Sequence, residues 1–75
     1  MEANQTLDAC GLNCPLPILR TKKTLNAMQP GDTLKVLTTD SGSLKDMASF
    51  CNQTGHVLVD SAQADGKFEF LIRKA

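Results

Sequence analysis

The sequence has no tryptophan and no tyrosine, and its three phenylalanines, Phe50, Phe68 and Phe70, do not alternate with basic residues. A stacking platform for nucleobases is therefore not expected. The chain also lacks an excess of either charge, since eight Lys and Arg balance eight Asp and Glu. Phosphate backbones are held by surplus cations, so direct nucleic-acid binding is not expected either. No apolar run approaches the roughly 18 residues of a membrane span. The start, MEANQTLDAC, has no basic stretch followed by an apolar one, so it does not read as a signal peptide. Cysteine is scarce, and the odd count of three cannot pair within one chain. Reduced thiols in a cytoplasm are the expectation. The 75 residues read as a single domain over 1–75. Such a chain buries only about 60% of its unfolded surface. That suits a carrier, an adaptor or a single-site catalyst better than an elaborate active site.

What is present alternates between strand and helix signals. Residues 4–10, NQTLDAC, predict a short strand, and Pro15 to Met28 a helix with Ile18, Thr21, Leu25 and Met28 near one face. QPGD at 29–32 stops that helix. TLKVLTT at 33–39 predicts a second strand. Ser43 and Asp46 fit a capping box for a second helix, whose buried stripe would be Leu44, Met47, Ala48 and Cys51. Gly55 suits the left-handed position that ends it. HVLVDSA at 56–62 and KFEFLIR at 67–73 predict two strands joined by an Asp65-Gly66 hairpin turn. The order is β-α-β-α-β-β. The first three strands should run parallel and the last antiparallel to its hairpin partner. The fold class is then α/β, a two-layer α+β sandwich with both helices on one face of a four-stranded mixed sheet. The other sheet face would be partly solvated or used for contacts.

The chemistry concentrates in DACGLNCPLPIL, residues 8–19. Proline is tolerated only in the first helical turn, where an N–H has no intrahelical acceptor. With Cys14 as N-cap, Pro15 falls at the first helical position and Pro17 at the third. With Asn13 as N-cap, Pro17 would fall at the fourth and lose a bond. Pro15 also pushes the residue before it toward the extended geometry of a cap. Cys14 is therefore expected at the positive end of the helix dipole, facing the N–H of Leu16, with its thiol pKa lowered. Arg20, Lys22 and Lys23 add positive potential from the same helix. Gly11 permits a tight turn before the thiol and leaves room for a partner. The alternative is that Cys14 is an inert capping residue.

The remaining candidates have plainer readings. Cys10 stands four residues before Cys14, and either resolves an oxidised Cys14 or simply ends the first strand. Cys51 reads as a core thiol. His56, the only histidine, is expected to interact with the carbonyls ending the second helix rather than to pair with Cys14. Cys10, Cys14, Cys51 and His56 lack the paired short spacings of a zinc site, so no metal and no cofactor are expected. Without a general base, what remains is chemistry that a lone activated sulfur can perform, which is sulfur exchange.

LDACGLNCPLPIL resembles the signature of the SirA/TusA-like sulfur-carrier proteins, small bacterial and archaeal domains marked by Gly-Leu-x-Cys-Pro-x-Pro. Gly11, Leu12, Cys14, Pro15 and Pro17 match it, and the similarity continues through MQPGDTLKVLTTD, DMASFC, TGH and FLIRKA. The resemblance implies a two-layer sandwich in which Cys14 accepts sulfane sulfur as a persulfide. The donor would be a cysteine desulfurase or rhodanese-like protein and the recipient a second protein. No independent small-molecule turnover is expected, and a monomer is. The branch that feeds tRNA thiolation has Arg where this chain has Asn13 and Glu where it has Leu16, so these two residues, with Arg20 and Lys23, are candidate partner contacts. Molybdenum-cofactor, sulfur-oxidation and selenium pathways are also represented in the family. Two other readings stay open: a non-catalytic regulatory or adaptor module, and a redox switch using Cys10 and Cys14.

Overall fold

Alternation of apolar and polar residues builds the sheet. In TLKVLT the residues Leu34, Val36 and Thr38 are buried while Thr33, Lys35 and Leu37 are only partly covered, the period of two of a strand with one core face. The computed structural model describes residues 3–13 and 15–75. Its elements are β1 (Gln5–Ala9), α1 (Leu16–Asn26), β2 (Thr33–Thr38), α2 (Ser43–Thr54), β3 (Val57–Ala64) and β4 (Lys67–Arg73).

The expected order and two-layer class hold. β1 runs parallel to β2, and β4 is antiparallel to both β2 and β3, so β1, β2 and β3 share one direction. The spatial order is β1-β2-β4-β3, which inserts the return strand of the hairpin between β2 and β3. Asp65 and Gly66 both have positive φ, 53° and 75°, as a tight hairpin turn between right-twisted strands requires. A bulge between Leu58 and Asp60 interrupts the edge strand β3.

The core lies between the sheet and the two helices. Leu25 and Met28 on the α1 side and Met47, Phe50 and Cys51 on α2 pack with Leu34, Val36, Phe68, Phe70 and Ile72 from the sheet. On the opposite sheet face, Lys35 pairs with Glu69 at 3.4 Å. Leu71, directly across from Lys35, is nevertheless buried there.

Two expectations about α2 are corrected. Its N-cap is Gly42, and Ser43 is the first helical residue with a buried hydroxyl that caps nothing. Asp40 organises this entry instead: its carboxylate accepts the Gly42 N–H at 3.1 Å and its carbonyl accepts the Ser43 N–H at 3.0 Å. The buried stripe is Ser43, Met47, Phe50 and Cys51, leaving Leu44 and Ala48 exposed. The helix does end at Gly55, where φ is +83° and the N–H donates to the Cys51 carbonyl.

Candidate functional site

The candidate site expected from the sequence lies on the connection from β1 to α1. Cys14 itself lies outside the described residues, and the geometry concerns the chain on either side of it. Ala9 ends β1 buried, and its carbonyl accepts the Leu12 N–H at 3.3 Å. Gly11 makes the turn at φ +80°, a region open to glycine at no cost and strained for other residues. Its N–H donates to Thr39 Oγ1 at 2.8 Å, which ties the turn to the loop after β2. Beyond Cys14, the Leu16 N–H donates to the Asn13 carbonyl at 2.8 Å, and the Leu19 N–H to the Pro15 carbonyl at 3.1 Å.

These bonds shift the expected helix register by one residue. The N-cap position falls on Pro15, not Cys14, and Pro17 sits at the second helical position rather than the third. The Leu16 N–H expected to face the sulfur is spent on Asn13. Pro17 still wastes no bond, because its missing N–H is one that the first turn does not use. Its side chain is buried, which anchors the start of α1 against the body.

Around this start the surface is apolar and open. Leu16 and Leu19 are 46% and 54% exposed, far above a core residue, and Asn13 is exposed beside them. Pro15 and Ile18 form one wall of a shallow groove of about 230 Å³. Asp46, Ser49, Phe50 and Gln53 of α2 form the other. The sequence reading did not single out Asp46, Ser49 and Gln53 as site residues. Their spacing of i, i+3 and i+7 on α2 puts them on one line and carried that signal. Arg20 and Lys23 are exposed, but they border a different groove, with Gln5 and Leu7 of β1.

Neither described thiol is activated. Cys10 is half-buried, and its thiol pKa is raised above its ordinary 9.0, first by its hydrogen bond to the Asp8 carboxylate and then by burial. The same carboxylate accepts the Cys10 N–H at 3.0 Å, and Asp8 is held below the usual carboxylate range by these two bonds. A raised thiol is a poor nucleophile at neutral pH, which weighs against Cys10 as a ready redox partner. Cys51 is a core thiol, pushed up by burial. His56 does not meet the end of α2 through its ring nitrogen. Its Nδ1 accepts the Ala75 N–H at 3.0 Å, and its ring lies 5.8 Å from that of Phe50. Among the described residues, no three His, Cys, Asp or Glu side chains converge on a point that would hold a metal ion, and no helix is long and apolar enough to cross a membrane.

Known proteins resemble this chain in sequence and fold. The family model described as Sulfurtransferase TusA matches residues 5–74. The sulfur carrier protein TusA of Allochromatium vinosum is 60% identical over 72 residues, covering 96% of this chain and 95% of its own. A protein of Neisseria meningitidis serogroup A, named as a candidate sulfur carrier, is 54% identical over 70 residues, covering 93% and 95%. The crystal structure of a SirA-like protein from Desulfitobacterium hafniense superposes with a TM-score of 0.81 at 28% identity, over 92% of this chain and 95% of that one. With an α1 that starts on two prolines and a family match that spans both layers of the fold, the chain belongs to the TusA family of sulfur carriers.

Proposed function

We propose that Cys14 carries the sulfur, as a persulfide that it receives from one protein and delivers to another. The observation behind this reading is the frame of the thiol. Gly11 turns the chain at positive φ, the bond to Thr39 fixes that turn, and buried Pro17 seats the helix that follows. The positive end of α1 favours an anionic sulfur one residue before its cap. Exposed Leu16 and Leu19 give a partner an apolar surface to close over the exchange and exclude water.

The exchange balances without a redox partner. The Cys14 thiolate attacks the outer sulfur of a donor protein's persulfide. A new S–S bond forms on Cys14, the donor's own S–S bond breaks, and the donor leaves as a thiolate. The acceptor's thiolate then attacks the outer sulfur on Cys14, which returns to a thiolate. Sulfane sulfur moves twice and nothing is oxidised overall. A cysteine desulfurase or a rhodanese-like protein is the fitting donor class, since either presents such a persulfide. Cys10 and Cys51, whose thiol pKa values are raised, by the Asp8 carboxylate and burial in the first and by burial in the second, are the weaker competitors.

Incubation with a cysteine desulfurase and free cysteine tests this by intact mass. The wild type should gain about 32 Da, one sulfur atom, as should Cys10→Ser and Cys51→Ser. Cys14→Ser should gain none. Equal gain by Cys14→Ser, or none by the wild type, refutes the assignment.

A further inference from the structure

The edge of the sheet at β1 has features that the sulfur chemistry does not use. Among the described residues, β1 is an outer strand, paired on one side only. The hydrogen bond from the Lys74 N–H to the Asp32 carbonyl sets which residues of β2 face β4. By alternation, the odd-numbered residues of β2 face β1. The parallel register, Gln5 beside Leu34, then leaves the backbone amides of Thr6 and Asp8 on the open edge. An open row of N–H and C=O groups is a template for a further strand.

The groove beside that edge has a marked charge character. It measures about 640 Å³ and lies between β1 and α1, lined by Gln5, Leu7, Arg20, Lys23, Thr24 and Ala27. Among the described residues, two cations and no acid face it, and neither cation has an ion-pair partner. The opposite side of the same edge carries the exposed carboxylate of Asp8. A strand added here would place alternate side chains over the two sides. Those on the helix side would meet Arg20 and Lys23, and those on the other side would meet Asp8.

We propose that this edge docks an extended segment of a partner protein, with carboxylates at every second position and uncharged residues between them. The backbone of β1 supplies the hydrogen bonds, and the groove selects the acidic side. A second copy of this chain is the poorer occupant. Pairing two β1 edges about a two-fold axis brings the Arg20 and Lys23 pairs of both copies together, and like charges disfavour that contact. The surface is separate from the Pro15 groove and does not depend on sulfur loading. It serves as an anchor that leaves the Cys14 turn free.

A titration of the full-length protein with the capped peptide Val-Glu-Val-Glu-Val-Glu, followed by amide NMR and hydrogen exchange at low salt, tests it. The Thr6 and Asp8 amides should shift and gain exchange protection. The Val-Lys counterpart should not bind. The exposed pair of substitutions Arg20→Glu and Lys23→Glu, checked for an otherwise unchanged spectrum, should weaken binding by about tenfold or more, as loss of two partly screened charge contacts implies. Cys14→Ser should bind as the wild type does, so a failure of sulfur transfer leaves this result readable. No shift at β1, shifts confined to the Pro15 groove, or indifference to charge reversal overturns the proposal. Protection of Thr6 and Asp8 that rises with protein concentration in the absence of peptide also overturns it, in favour of a second copy.

Discussion

Replacing Ser43, a residue 2% exposed, by alanine removes a buried hydroxyl that, among the described residues, is hydrogen-bonded to nothing. In the unfolded chain that hydroxyl bonds to water, so folding strips it without return. The penalty for such an unsatisfied group is about 1–3 kcal/mol. Alanine also has the best propensity at a helical position, worth a few tenths more, while the space left by one oxygen gives part of it back. The net expectation is a gain of about 1–2 kcal/mol, and for a chain of this size a rise in Tm of roughly 5–15 °C. Thr38→Val removes the second unpartnered buried hydroxyl with almost no change of shape, and should act in the same direction. Thr21→Val is the control. Thr21 is equally buried, but its hydroxyl donates to the Pro17 carbonyl at 2.7 Å, so its loss should cost about 0.5–1.5 kcal/mol. Urea unfolding of the three variants, with calorimetry for Tm, gives the comparison. If Ser43→Ala and Thr38→Val destabilise as Thr21→Val does, the two hydroxyls have partners in solution and the reasoning fails.

Two further outcomes concern Cys10 and Gly55. In a Cys14→Ser background, alkylation of Cys10 should rise with pH through a midpoint above the ordinary 9.0, because the Asp8 carboxylate and partial burial favour the protonated thiol. Asp8→Asn removes the charge and should move that midpoint down, read from iodoacetamide rates between pH 7 and 10 by peptide mass; an unchanged profile refutes the Asp8 assignment. Gly55→Ala meets no atom within 4 Å of its new methyl, so its only cost is the left-handed backbone at φ +83°, about 1–2 kcal/mol by urea unfolding. A larger loss would mean that the space is not open.

The parts of the fold legible in the sequence were those governed by local chemistry. Asp65-Gly66 tolerates positive φ and marked the hairpin, Gly55 marked the end of α2, and Lys67 to Phe70 alternates as the first half of β4 does. The start of α2 was not legible, because the residues that organise it belong to the preceding loop. Asp40 captures the Gly42 and Ser43 amides first, which turns Ser43 inward and rotates the buried stripe away from Leu44 and Ala48. The register of α1 was off by one for a different reason. Proline is free of cost at the second and third helical positions alike, so the rule excluded only the fourth. The turn that decided between them, Leu16 to Asn13, is a backbone bond with no side-chain signature. The groove walls Asp46, Ser49 and Gln53 depend on how α2 lies beside α1, a tertiary fact that no single helix records.

The position of β4 has a consequence for how the protein is made. It supplies Phe68, Phe70 and Ile72 to the core and, among the described residues, is the strand that joins β2 to β3. In chain order it follows β1, β2 and β3. Until it emerges, β2 and β3 have no neighbour to bridge them and α2 has half a floor to rest on. Contacts across such sequence separations form late and together. The sheet is therefore completed only after Lys67–Arg73 has been translated. A nascent chain stalled before residue 67 would hold β2 and β3 apart, with the core residues of α2 facing an incomplete sheet.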